Sequence, residues 1–161
     1  SNHMSTLSVD TIQGQTTAAN VKLPAGCILQ TVQGSTDSAM TSASTSYADT
    51  GLTATITPKF ATSKVLVRIS QHYRFDRYGF SIKIMRGSTA VHAPVNNYMV
   101  YNSDSNADQR SFLNYEVLDS PSSTSALTYK TQVILATSAT VNLQLQGNDF
   151  FSFITLMEIA Q

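Results

Sequence analysis

The chain is 161 residues long, and its ten Lys and Arg balance its ten Asp and Glu, so the formal net charge is zero. With 42% hydrophobic and 12% charged residues it reads as one globular domain, not a disordered segment. Neutrality removes any electrostatic basis for binding nucleic acid or an anionic membrane, and the single cysteine, Cys27, excludes an internal disulfide framework and a cysteine zinc site.

Ser1-Asn2-His3-Met4 reads as a protease and cloning scar ahead of a start methionine, so residues 1–4 are set aside. Residues 5–23 are polar with isolated aliphatics, an N-terminal arm that needs something else to pack on. From Pro24 onward, residues 24–161 carry strand and turn signals. Ser and Thr make up about a quarter of the chain, and Thr favours strands while Ser favours turns.

The first strand is predicted at 27–33, entered through Pro24-Ala25-Gly26 and closed by Gly34. Residues 35–46 are low in complexity and read as a long loop or weak edge strand. Leu52, Ala54 and Ile56 alternate with threonines up to Pro58, and Val65, Val67 and Ile69 alternate with Leu66, Arg68 and Ser70. Further strands follow at 80–85, at 90–101 with a break at Pro94, at 112–118, at 127–135, at 141–146 and at 151–159. Turn signals recur at the ~8–12-residue spacing of a sandwich or barrel, and no stretch sustains a helical period. The predicted class is all-β and antiparallel.

Two strands are apolar on both faces. In the last, Phe151, Phe153 and Met157 face one way and Ile154 and Leu156 the other; Phe112 and Leu118 mark the second strand. A thick closed core is one explanation. A subunit interface is the preferred one, since the N-terminal arm also lacks a partner. The expected interface residues are Phe112, Leu118, Phe151, Phe153, Ile154 and Leu156.

Signals for catalysis are weak. Glu116 and Glu158 each fall inside a strand, and nothing in their spacing pairs them as acid and base. Cys27 lies in an apolar strand without charged neighbours and is expected to be a buried, inert thiol. His72 and His92 belong to no metal-ligand spacing. The run Asp104-Ser105-Asn106-Ala107-Asp108 begins like a calcium loop but has Gln109 and Tyr115 where glycine and glutamate are needed, so a polar turn is expected. No cofactor and no metal are expected.

The informative stretch is His72-Tyr73-Arg74-Phe75-Asp76-Arg77-Tyr78-Gly79, where alternation stops and arginines mix with aromatics. Aromatic faces stack on sugar rings, and Arg and Asp fork onto hydroxyls or carboxylates. Tyr73, Arg74, Asp76, Arg77 and Tyr78 are the first binding candidates; a hairpin capping the core is the bland alternative. Asn96, Asn97, Tyr98, Tyr101 and Asn102 form a second cluster, from which Asn97 and Tyr101 are carried forward. Counting strand reversals, the connections at 73–77, 102–110 and 136–139 share one end, and Gly87 and 119–126 the other.

Several segments, in order, carry a resemblance. They are Ser8-Val9-Asp10-Thr11-Ile12-Gln13-Gly14, Val21-Lys22-Leu23-Pro24-Ala25-Gly26, and Ile56-Thr57-Pro58 with Ser63-Lys64-Val65-Leu66-Val67. Arg86-Gly87-Ser88-Thr89, Asp119-Ser120-Pro121-Ser122-Ser123-Thr124-Ser125, Thr128-Tyr129-Lys130 and Ile154-Thr155-Leu156-Met157-Glu158-Ile159 complete the set. Together they resemble the C-terminal head domain of tail fibres from environmental, especially marine, tailed bacteriophages. That resemblance implies a homotrimeric jelly-roll-like β-sandwich, similar to the tumour necrosis factor and C1q heads, carried on a fibre shaft of the virion and extracellular after release. The matching segments are scaffold, so no binding residue transfers. The leading expectation is a non-enzymatic tip that binds a bacterial surface glycan or protein, without nucleic acid and without membrane insertion. A purely structural module that trimerises or caps the fibre is the alternative. A glycan-degrading tip ranks third for want of a carboxylate pair.

Overall fold

Alternation of apolar and polar side chains sets the layers. The computed structural model describes residues 5–103, 108–139 and 142–161. In β3 (Ala48–Ile56), Thr50, Leu52, Ala54 and Ile56 are buried while the residues between them are exposed. The remaining strands are β1 (Ile28–Thr36), β2 (Met40–Thr41), β4 (Lys64–Phe75), β5 (Tyr78–Arg86), β6 (Thr89–His92), β7 (Val100–Asn102), β8 (Gln109–Asp119), β9 (Leu127–Leu135), β10 (Gln144–Leu145) and β11 (Ser152–Ile159). No helix occurs among the described residues.

Two antiparallel sheets pack face to face. The first runs β1-β11-β4 with β8 on the far edge of β4, and the short β10 and β2 extend it beside the end of β4. The second runs β3-β9-β5, with β6 and β7 sharing the outer edge of β5. Chain neighbours such as β3, β4 and β5 alternate between sheets, which gives the expected antiparallel β-sandwich. Between the layers lie Leu52, Val67, Ile69, Ile82, Val133 and Leu156.

Several local expectations change. Ile154 and Leu156 are fully buried in the core of a single chain, because their parity on β11 points between the sheets, toward β3; they do not reach the outer face. Phe112, Leu118, Phe151 and Phe153 are exposed. The break expected at Pro94 within 90–101 is present, separating β6 from β7. Between them no strand pairs with the outer edge of β5, and the Tyr115 hydroxyl donates to the Ile82 carbonyl at 2.7 Å. Of the strand expected at 141–146, residue 141 lies outside the described residues and the rest shrinks to β10, because Asn142 and Gln146 adopt φ of 54° and 39°. Cys27 precedes β1 and is half-buried rather than buried.

A belt of polar side chains crosses the core. The Thr50 and Thr131 hydroxyls lie 2.5 Å apart, and the Thr131 hydroxyl donates to Gln71 Oε1 at 2.8 Å. Gln71 Nε2 donates to Gln146 Oε1 at 3.2 Å, which also accepts from the Ser152 hydroxyl at 3.0 Å. Gln146 Nε2 closes the belt on the Thr50 carbonyl at 2.7 Å. The links join β4 and β11 of one sheet to β3 and β9 of the other.

At the base of the sandwich the fully buried Glu158 accepts from the Lys59 amide at 2.7 Å, the Phe60 amide at 3.3 Å and Gln30 Nε2 at 2.6 Å. Lys59 Nζ in turn donates to the Ala19 carbonyl at 2.7 Å, tying down the arm. Leu7, Val9 and Ile12 of the arm are exposed.

Gln146→Leu removes partners from Gln71, Ser152 and the Thr50 carbonyl at once. Each buried polar group left unpaired costs about 1–3 kcal/mol, so urea unfolding should show a loss above about 2 kcal/mol. Gln132→Leu, on the solvent face of β9, should change stability by only about half a kcal/mol.

Candidate functional site

The chain passes from β4 in one sheet to β5 in the other through Asp76 and Arg77 alone, so this connection is an inter-sheet corner rather than a hairpin. To turn it, Tyr78 takes φ of 62°, a left-handed conformation that costs a bulky residue about 1–2 kcal/mol. Gly79 follows because β7 crosses closely: a Cβ there would lie 1.8 Å from the Val100 carbonyl oxygen. In the resulting register Tyr78 pairs with Asn102 and Gly79 with Tyr101.

That register merges the two polar-aromatic clusters. The Arg77 guanidinium lies 4.6 Å over the Tyr78 ring, and the Tyr78 and Tyr101 centroids are 6.4 Å apart. Tyr98 meets Tyr101 edge-on at 5.6 Å, and these two rings are 53% and 51% exposed. Arg77 Nε is buried without a protein acceptor among the described residues. Asp76 fastens both sides of the corner: its carboxylate accepts from Asn142 Nδ2 at 2.5 Å and its carbonyl from Asn102 Nδ2 at 3.1 Å. The bend below Tyr98 is held by Asn96, whose Oδ1 accepts from the Tyr98 amide at 3.0 Å; Asn97 is half-buried in the same bend.

Two expected loop residues belong to the strand instead. Tyr73 faces the core, 5.2 Å from Phe80 and 5.9 Å from Phe75, so it supports the corner from beneath and leaves the binding row. Arg74 lies on the outer face of the first sheet, its Nε donating to Asp108 Oδ1 at 2.9 Å. Arg110 grips the other oxygen through Nε at 3.0 Å and Nη2 at 2.6 Å, and Arg110 first, then Arg74, hold the Asp108 carboxyl below its usual range. The rest of the 104–108 run lies outside the described residues.

The end-sharing expected from strand reversals holds. Asn102 with Asp76, Arg74 with Asp108, and the Ala136 amide on the Gly79 carbonyl at 2.8 Å gather the three connections together. At the other end Gly87 donates to the Thr128 carbonyl at 2.9 Å and Arg86 pairs with Asp119.

The remaining titratable candidates are occupied structurally. Glu116 pairs with Arg68 at 2.9 Å on the outer face, and Glu158 is taken up by the base amides. His72 stacks on Phe150 at 4.4 Å and meets Phe112 edge-on at 5.2 Å; His92 leans on Tyr115 at 5.1 Å. Among the described residues no three His, Cys, Asp or Glu side chains come together as a metal site. Sequence reasoning missed Asn142 and Phe150. Asparagine's tolerance of left-handed backbone was the available signal for Asn142. The chain has no match among protein-family models or characterised proteins.

Two measurements test this geometry. Tyr78→Gly should be more stable than Tyr78→Ala by about 1 kcal/mol, because both lack the ring and only alanine keeps a Cβ at positive φ. Burial first, then Arg110, pushes the His72 pKa below its ordinary value of about 6.5. The unfolded chain therefore takes up that proton before the folded one. Stability from His72 is complete above pH ~6.5 and declines as pH falls below it. Melting temperature should drop between pH 7 and 5.5, and less so in His72→Leu; equal drops would assign the effect to other groups.

Proposed function

We propose that this domain is a non-enzymatic binding head, the tip of a phage tail fibre that engages a bacterial surface glycan through the β4–β5 corner. One observation carries the reading. Pairing of β5 with β7 sets Arg77, Tyr78, Tyr98 and Tyr101 in one row at the end of the sandwich opposite the N-terminal arm. β4 runs from the base to this corner over 12 residues, a rise of about 36 Å at ~3.3 Å per residue. An arm leading to a shaft and a site at the far end suit a tip.

Exposed aromatic faces flanked by amides suit sugar rings, which offer apolar CH faces and hydroxyl edges. Neither strand glutamate supports hydrolysis: Glu116 is paired with Arg68, and Glu158 is buried against backbone amides at the opposite end. That placement supports a receptor-binding role without bond cleavage.

The reading includes assembly as a trimer through the outer face of the first sheet. Phe112, Leu118, Phe151 and Phe153 are exposed there, around the Arg68–Glu116 pair. Large apolar side chains gathered on one exposed sheet face mark an interaction surface, and the charged pair among them already satisfies itself. Light scattering should give a trimer at micromolar concentration. Phe153→Asp should yield a folded but dissociated chain, whereas Leu156→Asp should fail to fold, since that side chain is core. A wild-type monomer across this range would remove the assembly from the proposal.

Binding is tested on bacterial cells and a surface-glycan array. Tyr101→Ala should weaken binding by about 1–2 kcal/mol per site, a hot-spot effect, with the melting temperature within a few degrees of the parent's. Full binding by both Tyr101→Ala and Tyr78→Gly would move the receptor site elsewhere. No binding by the wild type would leave the purely structural role.

A further inference from the structure

Beside the corner lies a cleft of about 350 Å³, at the lower end of the ~300–1,000 Å³ typical of ligand pockets and roomy enough for a sugar ring with its substituents. It is lined by Thr41, Ser42 and Ala43 of the β2 segment, Arg74 of β4, and Asn142, Leu143 and Gln144 leading into β10. We propose that this cleft holds a hexuronic acid residue of an acidic polysaccharide, with Arg74 on its carboxylate; this deepens the binding-head reading and rests on it.

The chemistry of the lining carries the argument. Arg74 commits only Nε to Asp108, while Asp108 is gripped twice by Arg110, so two guanidiniums share one carboxylate. The terminal nitrogens of Arg74 have no protein acceptor among the described residues, and a guanidinium fork matches a carboxylate edge. Asn142 commits its amide nitrogen to Asp76, and Gln144 donates from its own to the Gln146 carbonyl at 3.0 Å. Their amide oxygens remain as acceptors, which suits sugar hydroxyls and disfavours a bare phosphate. Thr41 and Ser42 add hydroxyls, and the exposed Ala43 methyl offers a small apolar contact, while the Leu143 side chain is buried in the core beneath.

Placement connects the cleft to the aromatic row. Asn142 forms the cleft wall and hydrogen-bonds Asp76, and the Asp76 carbonyl holds Asn102, the partner of Tyr78 in the β5–β7 register. The cleft and the aromatic row are therefore joined through Asp76 at the same end of the sandwich. The cleft reads charge and the row reads sugar faces.

The test compares a galacturonic acid hexamer with its fully methyl-esterified form by calorimetry on the intact protein. The two differ in charge and not in hydroxyls. The wild type should bind the acid at least about tenfold tighter, a difference of about 1.4 kcal/mol, and the gap should narrow at high salt. Arg74→Gln should abolish the preference while keeping residual binding to both. Thr41→Val should weaken both forms without unfolding the chain, and Tyr101→Ala should weaken both equally. Equal wild-type affinity for acid and ester, or a preference that survives Arg74→Gln, would overturn the acidic-sugar assignment and leave the binding head standing. A wild type that binds neither hexamer, no arrayed glycan and no bacterial cell would overturn the binding head itself.

Discussion

Gln71 and Gln146 meet in the middle of the sandwich, where both amides are fully out of water. Apolar burial holds the sheets together but is not directional, so it does not by itself choose which residue of one sheet faces which of the other. The belt does choose. Sliding either sheet by one residue would strand several buried donors and acceptors together, each at the full desolvation cost. The same belt fixes the segment leading into β11, because the Gln146 amide donates to the His72 carbonyl at 3.0 Å and the His72 amide to the Ser152 hydroxyl at 2.9 Å.

The corner inherits its rigidity from this arrangement. Immediately above the belt, Tyr73, Phe75 and Phe80 pack ring against ring at 5.2–5.9 Å, closing the top of the core. Asp76, Arg77 and Tyr78 therefore stand on a packed floor, and the chain has only two residues with which to cross between sheets. Strain at Tyr78 is sustained because both flanking strands are already paired. A surface held this way loses little freedom when it meets a ligand, which favours affinity from few contacts.

The belt also explains what the sequence showed and what it hid. Alternation in residues 52–56, 65–69 and 127–135 made the central strands legible, whereas 151–159, apolar on both faces, left open which side meets the core. Gln71 occupies a core-facing position, so a polar residue interrupts the pattern where the strand continues, and β4 looked finished before Tyr73. That is why Tyr73 and Arg74 read as loop. The reverse error occurred at 141–146, where alternation implied a strand although Asn142 and Gln146 turn the backbone left-handed. The chemistry of the corner was readable from its residue types; the merging of its two clusters was not, since it depends on the pairing of β5 with β7 across the break at Pro94.

That break has a consequence for how such molecules live beside one another. An intact outer strand on β5 would present a continuous ladder of free amides and carbonyls, onto which a stray strand from a neighbour could zip. Here β6 and β7 cover the two ends of that edge, the bend at 93–99 bulges over the middle, and the Tyr115 hydroxyl caps the Ile82 carbonyl. Ser81 adds a second plug, its hydroxyl donating to the Asn96 carbonyl at 2.9 Å and accepting from the Met99 amide at 3.0 Å. No uninterrupted template remains along this margin. A neighbouring copy is thereby denied a continuous strand edge along this margin.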